Sequence, residues 1–211
     1  MFDLVIFDCD GVLVDSEVVS NQVLVDNLAR YGLTLTLKEC MGHFVGGTMT
    51  GVMVKAREMG ADLPEGWIDE IYAETYAGLK AGVPLVRGIP EVLACLDARD
   101  IPYCVASNGS REKMKITLGQ NGLWDRFEPA MFSAHELGVG KPEPDLFLAA
   151  VEHFGAMSPA VIEDSASGTL AAQRAGMRCF GYAEHDDDAL LAANGAHVFH
   201  DMAELPSLLE L

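Results

Sequence analysis

The fold is indicated first by residues 4–11, which read Leu4-Val5-Ile6-Phe7-Asp8-Cys9-Asp10-Gly11. Four consecutive apolar residues without polar alternation are typical of a strand that is buried on both faces of a parallel sheet. Asp-Gly is a common turn pair, so the two aspartates alone do not require a function. The stretch predicts a buried strand with two acidic residues directly after its carboxyl end.

Three later segments have the same apolar character, namely Tyr103–Ala106, Ala160–Ile162 and Cys179–Tyr182. The stretches between them, such as Pro144–Phe154 and Thr169–Ala175, place apolar residues at helical spacing. Strands that alternate with helices are typical of βαβ units. We therefore predict an α/β fold with a Rossmann-like parallel sheet at its core.

One long segment, residues 16–82, breaks this alternation. Thr48–Met59 and Trp67–Lys80 have helical character, and no strand-like run separates them. A helical block after the first strand indicates an insertion. We predict a small α-helical cap domain at residues 16–82 and a core made of residues 1–15 and 83–211.

Composition excludes several classes of function. The 211 residues carry a formal net charge of −18, which repels nucleic acid and anionic membranes, so we expect neither as a partner. No apolar run is long enough to span a bilayer, and residues 1–7 do not resemble a signal peptide. The five cysteines are scattered and form no C-x-x-C pair, which favours reduced thiols in a cytoplasmic protein. We expect a monomer.

Polar residues follow three of the predicted strands: Asp8 and Asp10, Ser107 and Asn108, and Glu163 and Asp164, with Lys141 in a Gly/Pro-rich loop. In an open parallel sheet, ligands bind beyond the carboxyl ends of the strands. Four carboxylates at one edge repel each other and are costly to desolvate, so the cluster implies a bound cation. Oxygen donors without His or Cys pairs favour Mg²⁺ over Zn²⁺.

These residues resemble the four ordered motifs of the haloacid dehalogenase superfamily in its phosphatase form. The motifs are Asp8-Cys9-Asp10-Gly11-Val12-Leu13-Val14-Asp15-Ser16, Val105-Ala106-Ser107-Asn108-Gly109, Lys141-Pro142-Glu143-Pro144-Asp145 and Val161-Ile162-Glu163-Asp164-Ser165. The resemblance covers essentially the whole chain. The insertion is similar to the helical cap of β-phosphoglucomutase-like proteins and small sugar-phosphate phosphatases.

The resemblance implies a phosphatase that hydrolyses a small phosphorylated metabolite through an aspartyl phosphate on Asp8. Asp10 is then the general acid and base. Ser107, Asn108 and Lys141 bind the phosphoryl group, and Lys141 also neutralises charge on the nucleophile. The resemblance assigns Mg²⁺ to Asp8, the backbone carbonyl of Asp10, and Asp164, with support from Glu163.

Substrate contacts are expected from the cap. The candidates are polar residues near its turns and helix starts: Glu17, Asn21, Gly47, Thr48 and Lys55. Each of them has an alternative explanation as a solvated helix residue. The sequence does not distinguish sugar phosphates from sugar-acid or glycolate-type phosphates.

Four alternative functions remain open. A phosphosugar mutase of the β-phosphoglucomutase type shares the core, but it places a His early in the first cap helix, and residues 16–31 contain none. A dehalogenase lacks the second aspartate and needs no metal. A phosphonate hydrolase requires a Schiff-base lysine in the cap, for which Lys55 is a weak candidate. A phospho-acceptor signalling domain is shorter and has no cap.

Overall fold

A computed structural model describes residues 1–44, 48–184 and 188–211. The chain divides into two compact units. Residues 1–15 and 84–211 form an α/β unit, and residues 16–83 form a helical unit.

The α/β unit is built on one six-stranded sheet in which every pairing is parallel. Its strands are β1 (Leu4–Phe7), β2 (Tyr103–Ser107), β3 (Met131–Ser133), β4 (Pro159–Glu163), β5 (Arg178–Tyr182) and β6 (His197–Phe199). They lie side by side in the order β3-β2-β1-β4-β5-β6. The predicted Rossmann-like parallel sheet is confirmed. The two three-residue strands, β3 and β6, were not predicted because each is too short to show a periodic pattern.

The central strand β1 is buried along its whole length. Ile6 lies opposite Cys104 of β2 and Val161 of β4, and all three residues are inaccessible to solvent. Leu146 and Phe147 of a flanking helix belong to the same apolar cluster. Burial on both faces explains why the strand sequences are continuously apolar rather than alternating.

Helices connect the strands of this unit. They are α5 (Ile89–Asp97), α6 (Arg111–Gln120), α7 (Trp124–Phe127), α8 (Ala134–Leu137), α9 (Asp145–Phe154), α10 (Ala166–Arg174), α11 (Asp188–Ala193) and α12 (Leu205–Leu208), with 3₁₀ turns at Glu128–Ala130 and Met202–Glu204. Ser110 and Ser165 each accept a hydrogen bond from a first-turn backbone N–H, at the starts of α6 and α10. These two helices therefore begin directly after the polar loops that follow β2 and β4.

The described residues of the helical unit, 16–44 and 48–83, contain four helices: α1 (Glu17–Arg30), α2 (Leu37–Phe44), α3 (Met49–Glu58) and α4 (Trp67–Ala81). Its apolar cluster includes Leu28, Trp67 and Ile71, which are inaccessible to solvent. The Trp67 indole N–H donates to Asn27 Oδ1 at 2.7 Å, so this buried polar group is satisfied. The unit has its own hydrophobic core.

Two further features concern helix length and the cysteines. Among residues 1–44, 48–184 and 188–211, no helix combines the length and the apolar character needed to cross a membrane. All five cysteines carry free thiols, and all of them except Cys95 are buried. The expectation of reduced core thiols agrees with this arrangement.

Candidate active site

The candidate site lies at the carboxyl edge of three neighbouring strands. Asp8 follows β1, Ser107 ends β2 and Glu163 ends β4, and β1 lies between the other two. The chain moves to one side of β1 for β2 and β3, and to the other side for β4. Such a reversal of strand order opens a crevice at which α/β proteins bind ligands. The topology therefore brings Asp8, Ser107 and Glu163 together.

Lys141 connects two of these carboxylates. Its Nζ donates to Asp8 Oδ1, and it lies 2.5 Å from Glu163 Oε1. All three side chains are buried. The ammonium group also lies 5.2 Å from the centre of the Phe147 ring. Lys141 is therefore fixed as the positive charge between the ends of β1 and β4.

Burial and charge set the protonation of this group of residues. Burial raises the pKa of Asp8 to about 7, and the cation of Lys141 only partly opposes that rise, while Glu163 and Asp10 add to it. Burial acts to lower the pKa of Lys141, but the carboxylates of Asp8 and Glu163 outweigh it and hold that pKa above its usual value. The lysine stays charged, and the site has an excess of negative charge.

Glu163 organises the loop that follows β4. Its Oε2 accepts hydrogen bonds from the backbone N–H of Asp164 and Ser165, each at 3.1 Å, and from Ser165 Oγ at 2.9 Å. Since Oε1 contacts Lys141, both oxygens of the Glu163 carboxylate have partners. Glu163 thus holds Lys141 and the backbone of Asp164. Its supporting role in metal binding stays a prediction.

Gly168, on α10, packs directly against Glu163. A Cβ at this position would lie 1.9 Å from the Glu163 carboxyl carbon, closer than any real contact. We expect Gly168→Ala to lower the free energy of unfolding by about 1–3 kcal/mol because the helix or the carboxylate must move. Chemical denaturation measures the change. The matched control is Gly119→Ala on α6, where a Cβ meets nothing within 4 Å; there alanine is expected to be neutral or stabilising by up to ~1 kcal/mol. Equal effects of the two substitutions would contradict the packing argument.

Asp10 has a cationic partner that sequence reasoning missed. Lys113 Nζ lies 2.9 Å from Asp10 Oδ1, and both side chains are largely buried. Burial acts to lower the pKa of Lys113, but the charge of Asp10 outweighs it and leaves the pKa raised, so the lysine is charged. The signal was available: Ser110 caps the helix after the Ser107-Asn108-Gly109 turn, which puts Lys113 in its first turn.

Asn108 contacts the loop that carries Lys141. Its Oδ1 accepts from the Lys141 backbone N–H at 2.8 Å, and its Nδ2 donates to the Lys141 carbonyl at 3.1 Å. A Cβ at Gly140 would lie 2.5 Å from Asn108 Oδ1, so the glycine permits this approach. The prediction that Asn108 binds the phosphoryl group stays a prediction. In the structure its amide holds the backbone of Lys141.

The oxygen atoms that are predicted to hold Mg²⁺ belong to Asp8, Asp10 and Asp164. Gly11 has a φ of +78°, and a Cβ there would lie 1.9 Å from Asp164 Oδ2, so the Asp164 carboxylate lies against the loop that carries Asp10. Asp8, Asp164 and the Asp10 carbonyl supply the oxygen donors that Mg²⁺ prefers. In the described part of the chain, no three His, Cys, Asp or Glu side chains group closely enough to hold a metal by themselves. Two carboxylates and a backbone oxygen match Mg²⁺ in donor type, and their binding of the ion stays a prediction.

Charge balance at this edge also favours a divalent cation. Lys141 pairs with Asp8 and Glu163, and Lys113 pairs with Asp10. Asp164 follows Glu163 directly in the sequence and adds a fourth acidic side chain. When all four acids are ionised, they exceed the two ammonium groups by two negative charges. A doubly charged ion offsets that excess.

The candidate substrate contacts of the helical unit have local structural roles. Thr48 caps α3 by accepting a hydrogen bond from the Gly51 N–H at 3.2 Å. Asn21 is buried and donates to the Glu17 carbonyl, and Lys55 Nζ donates to the His43 carbonyl at 3.0 Å. Gly47, also predicted to contact substrate, lies outside the described residues. These contacts are local to the helical unit, and substrate binding by Asn21, Thr48 and Lys55 stays a prediction.

Comparison with known proteins identifies similar chains. A family model of haloacid dehalogenase-like hydrolases matches residues 5–182. A curated relative, the 6-phosphogluconate phosphatase of Escherichia coli (strain K12), is 27% identical over 210 residues, covering 98% of this chain and 94% of that protein.

Two solved structures are similar to this chain in both fold and sequence. A haloacid dehalogenase-like protein of unknown function from Agrobacterium tumefaciens str. C58 superimposes with a TM-score of 0.88 at 32% identity, covering 100% of this chain and 98% of that one. A hydrolase of the same family from Deinococcus radiodurans R1, solved with bound phosphate and sodium, gives a TM-score of 0.85 at 33% identity, covering 99% and 96%.

Proposed function

This chain belongs to the haloacid dehalogenase-like hydrolase family and is a phosphatase-type hydrolase, and we propose that it hydrolyses a small phosphorylated metabolite through an aspartyl phosphate on Asp8 in a reaction that depends on Mg²⁺. The observation that carries the proposal is the position of Asp8. It lies buried at the central strand's carboxyl end, against Lys141 and one residue away from Asp10, which is paired with Lys113.

The proposed reaction has two steps. Asp10 enters the first step protonated. An Asp8 carboxylate oxygen attacks phosphorus, the ester P–O bond breaks, and Asp10 gives its proton to the departing oxygen. Asp10 then takes a proton from a water molecule that attacks the phosphorus of the aspartyl phosphate. The Asp8–phosphorus bond breaks, which restores Asp8 and releases inorganic phosphate.

Other residues of the edge stabilise the charge that moves in these steps. Lys141 offsets the repulsion between the Asp8 carboxylate and the anionic phosphoryl group. Ser107 and Asn108 bind the phosphoryl oxygens. Asn108 also holds the backbone of Lys141 through its two hydrogen bonds. Asp8, Asp164 and the carbonyl of Asp10 would hold Mg²⁺, supported by Glu163. When bound, the ion supplies Lewis-acid charge stabilisation at the phosphoryl group.

The proposed substrates are phosphorylated sugars and sugar acids. The relative named as a 6-phosphogluconate phosphatase supports this choice, because it aligns over almost the whole chain. We propose that the helical unit, residues 16–83, serves as the cap that selects the substrate, with Thr48 and Gly47 among its contacts. We also propose that the protein is a cytoplasmic monomer; its five free thiols suit a reducing compartment.

Removal of divalent metal is expected to lower phosphate release by ~100-fold or more because the excess negative charge at the strand ends is then uncompensated. The measurement is inorganic phosphate released from 6-phosphogluconate and a panel of hexose phosphates, before and after treatment with a chelator. Added Mg²⁺ should restore the rate, whereas Ca²⁺, which is larger and prefers more ligands, should not.

Full turnover after verified metal removal would contradict the role of Mg²⁺ while leaving the phosphatase proposal in place. No phosphate release from any member of the panel would contradict the substrate class. Incubation with β-glucose 1-phosphate, followed by assay of glucose 6-phosphate against free phosphate, separates the phosphatase from the phosphosugar mutase.

A further inference from the structure

Lys113 is a second cation at the candidate site, and its partner differs from that of Lys141. Lys113 Nζ lies 2.9 Å from Asp10 Oδ1, with 22% of its side chain and 24% of the Asp10 side chain exposed. Lys141 instead contacts Asp8 and Glu163. The nucleophile and the acid/base of the proposed reaction thus have separate lysines.

The surroundings of Lys113 restrict where its ammonium group can lie. Its backbone N–H donates to Ser110 Oγ at 3.1 Å, which fixes the first turn of α6. Side chains of a helix incline toward its N-terminus, here toward the loop that follows β2. A Cβ at Gly109 would lie 3.5 Å from both Lys113 Cδ and Asp10 Oδ2, so this glycine lies beside both side chains of the pair.

This position is unfavourable for a lysine unless it has a partner. The N-terminal end of a helix carries partial positive charge, which disfavours a cation in the first turn. Partial burial adds a desolvation cost. Both costs are offset by the contact with Asp10, which indicates that Lys113 is placed by its carboxylate partner rather than by helix stability.

We propose that Lys113 is a positioning residue that holds the Asp10 carboxylate in one orientation at the edge beside Ser107. The inference rests on the proposed function, in which Asp10 protonates the leaving oxygen. The Asp10 carboxyl group turns about the Cα–Cβ and Cβ–Cγ bonds and has several rotamers, and proton transfer requires it within hydrogen-bond reach of that oxygen. The ion pair selects one of these rotamers before substrate arrives.

The test compares two leaving groups in Lys113→Met. An alkoxide leaving from a hexose phosphate needs a proton, whereas p-nitrophenolate leaves without one. We expect kcat for the hexose phosphate to fall by about 10²–10³-fold, and kcat for p-nitrophenyl phosphate to fall by less than ~10-fold, with KM nearly unchanged. Lys113→Arg should recover most of the activity. Lys115→Met is the matched control, since Lys115 lies on the exposed side of the same helix over Trp124, and it should behave as wild type.

A double variant shows whether Lys113 acts through Asp10. In the Asp10→Asn background, Lys113→Met should add less than about threefold to the loss, because residues that act as a unit are not additive. Three results would overturn the proposal. A rise in KM alone would indicate that Lys113 binds substrate directly. Equal losses on both substrates, or fully additive losses in the double variant, would indicate a structural role. Lys113→Gln replaces the Met variant if the latter does not unfold cooperatively.

A crystal structure provides a readout that does not depend on turnover. In Lys113→Met the Asp10 side chain should occupy more than one rotamer, while in Lys113→Arg it should keep one. A single unchanged Asp10 rotamer in the Met variant would overturn the positioning role even if the enzyme is an active phosphatase. Failure of the wild-type protein to release phosphate from any substrate would instead contradict the proposed function.

Discussion

Asp8→Asn is expected to reduce phosphate release by at least about 10⁴-fold, because the amide cannot form the aspartyl phosphate. The shape at the end of β1 is retained, and Lys141 keeps its contact with Glu163. The variant should therefore fold and unfold cooperatively like the wild type. Steady-state phosphate release and thermal unfolding by circular dichroism measure the two properties.

The matched control is Asp125→Asn, which makes the same change on an exposed position of α7 and should leave turnover unchanged. A second measurement follows the phosphoryl group itself: acid-quenched wild-type protein should carry it on Asp8. Its recovery on any other residue, or substantial turnover by Asp8→Asn, would show that Asp8 is not the nucleophile.

Lys141→Met is expected to lose both activity and stability. It removes the cation between Asp8 and Glu163, and leaving a buried charge without its partner costs about 3–5 kcal/mol. The phosphoryl group also loses a positive contact, which should lower kcat by about 10³-fold. Urea denaturation and phosphate release on the same preparation measure the two losses.

The double variant Lys141→Met/Glu163→Gln separates these effects. Removing the Glu163 charge relieves the repulsion with Asp8, so we expect most of the lost stability to return while activity stays low. If the double variant recovered turnover, Lys141 would act only by neutralising Glu163. If the single variant were as stable as the wild type, the ion pairs would have no structural importance.

The strands that build the site were predictable because their signal is local. Leu4–Phe7 and the later buried runs are continuous apolar segments, and three of the four directly precede polar residues in the sequence. The short strands β3 and β6 carry no such signal. They are ordered by pairing with β2 and β5 rather than by their own pattern.

The candidate site was predictable in its residue types more than in its contacts. Asp8, Ser107, Lys141 and Glu163 stand out because they follow strands or lie in motif order. Their pairings were not visible, since Lys141 is 133 residues from Asp8. The contact of Asn108 with the Lys141 backbone was likewise hidden, because a turn sequence does not reveal which loop will lie beside it.

By itself, the sequence determined the parallel α/β core and which polar residues follow its strands, because apolar runs and turn residues act over a few positions. Only the tertiary structure decided the charge pairs, with Lys141 between Asp8 and Glu163 and Lys113 on Asp10. Strand order sets those distances, and strand order depends on packing between segments far apart in the chain. Local patterns cannot specify which lysine reaches which carboxylate.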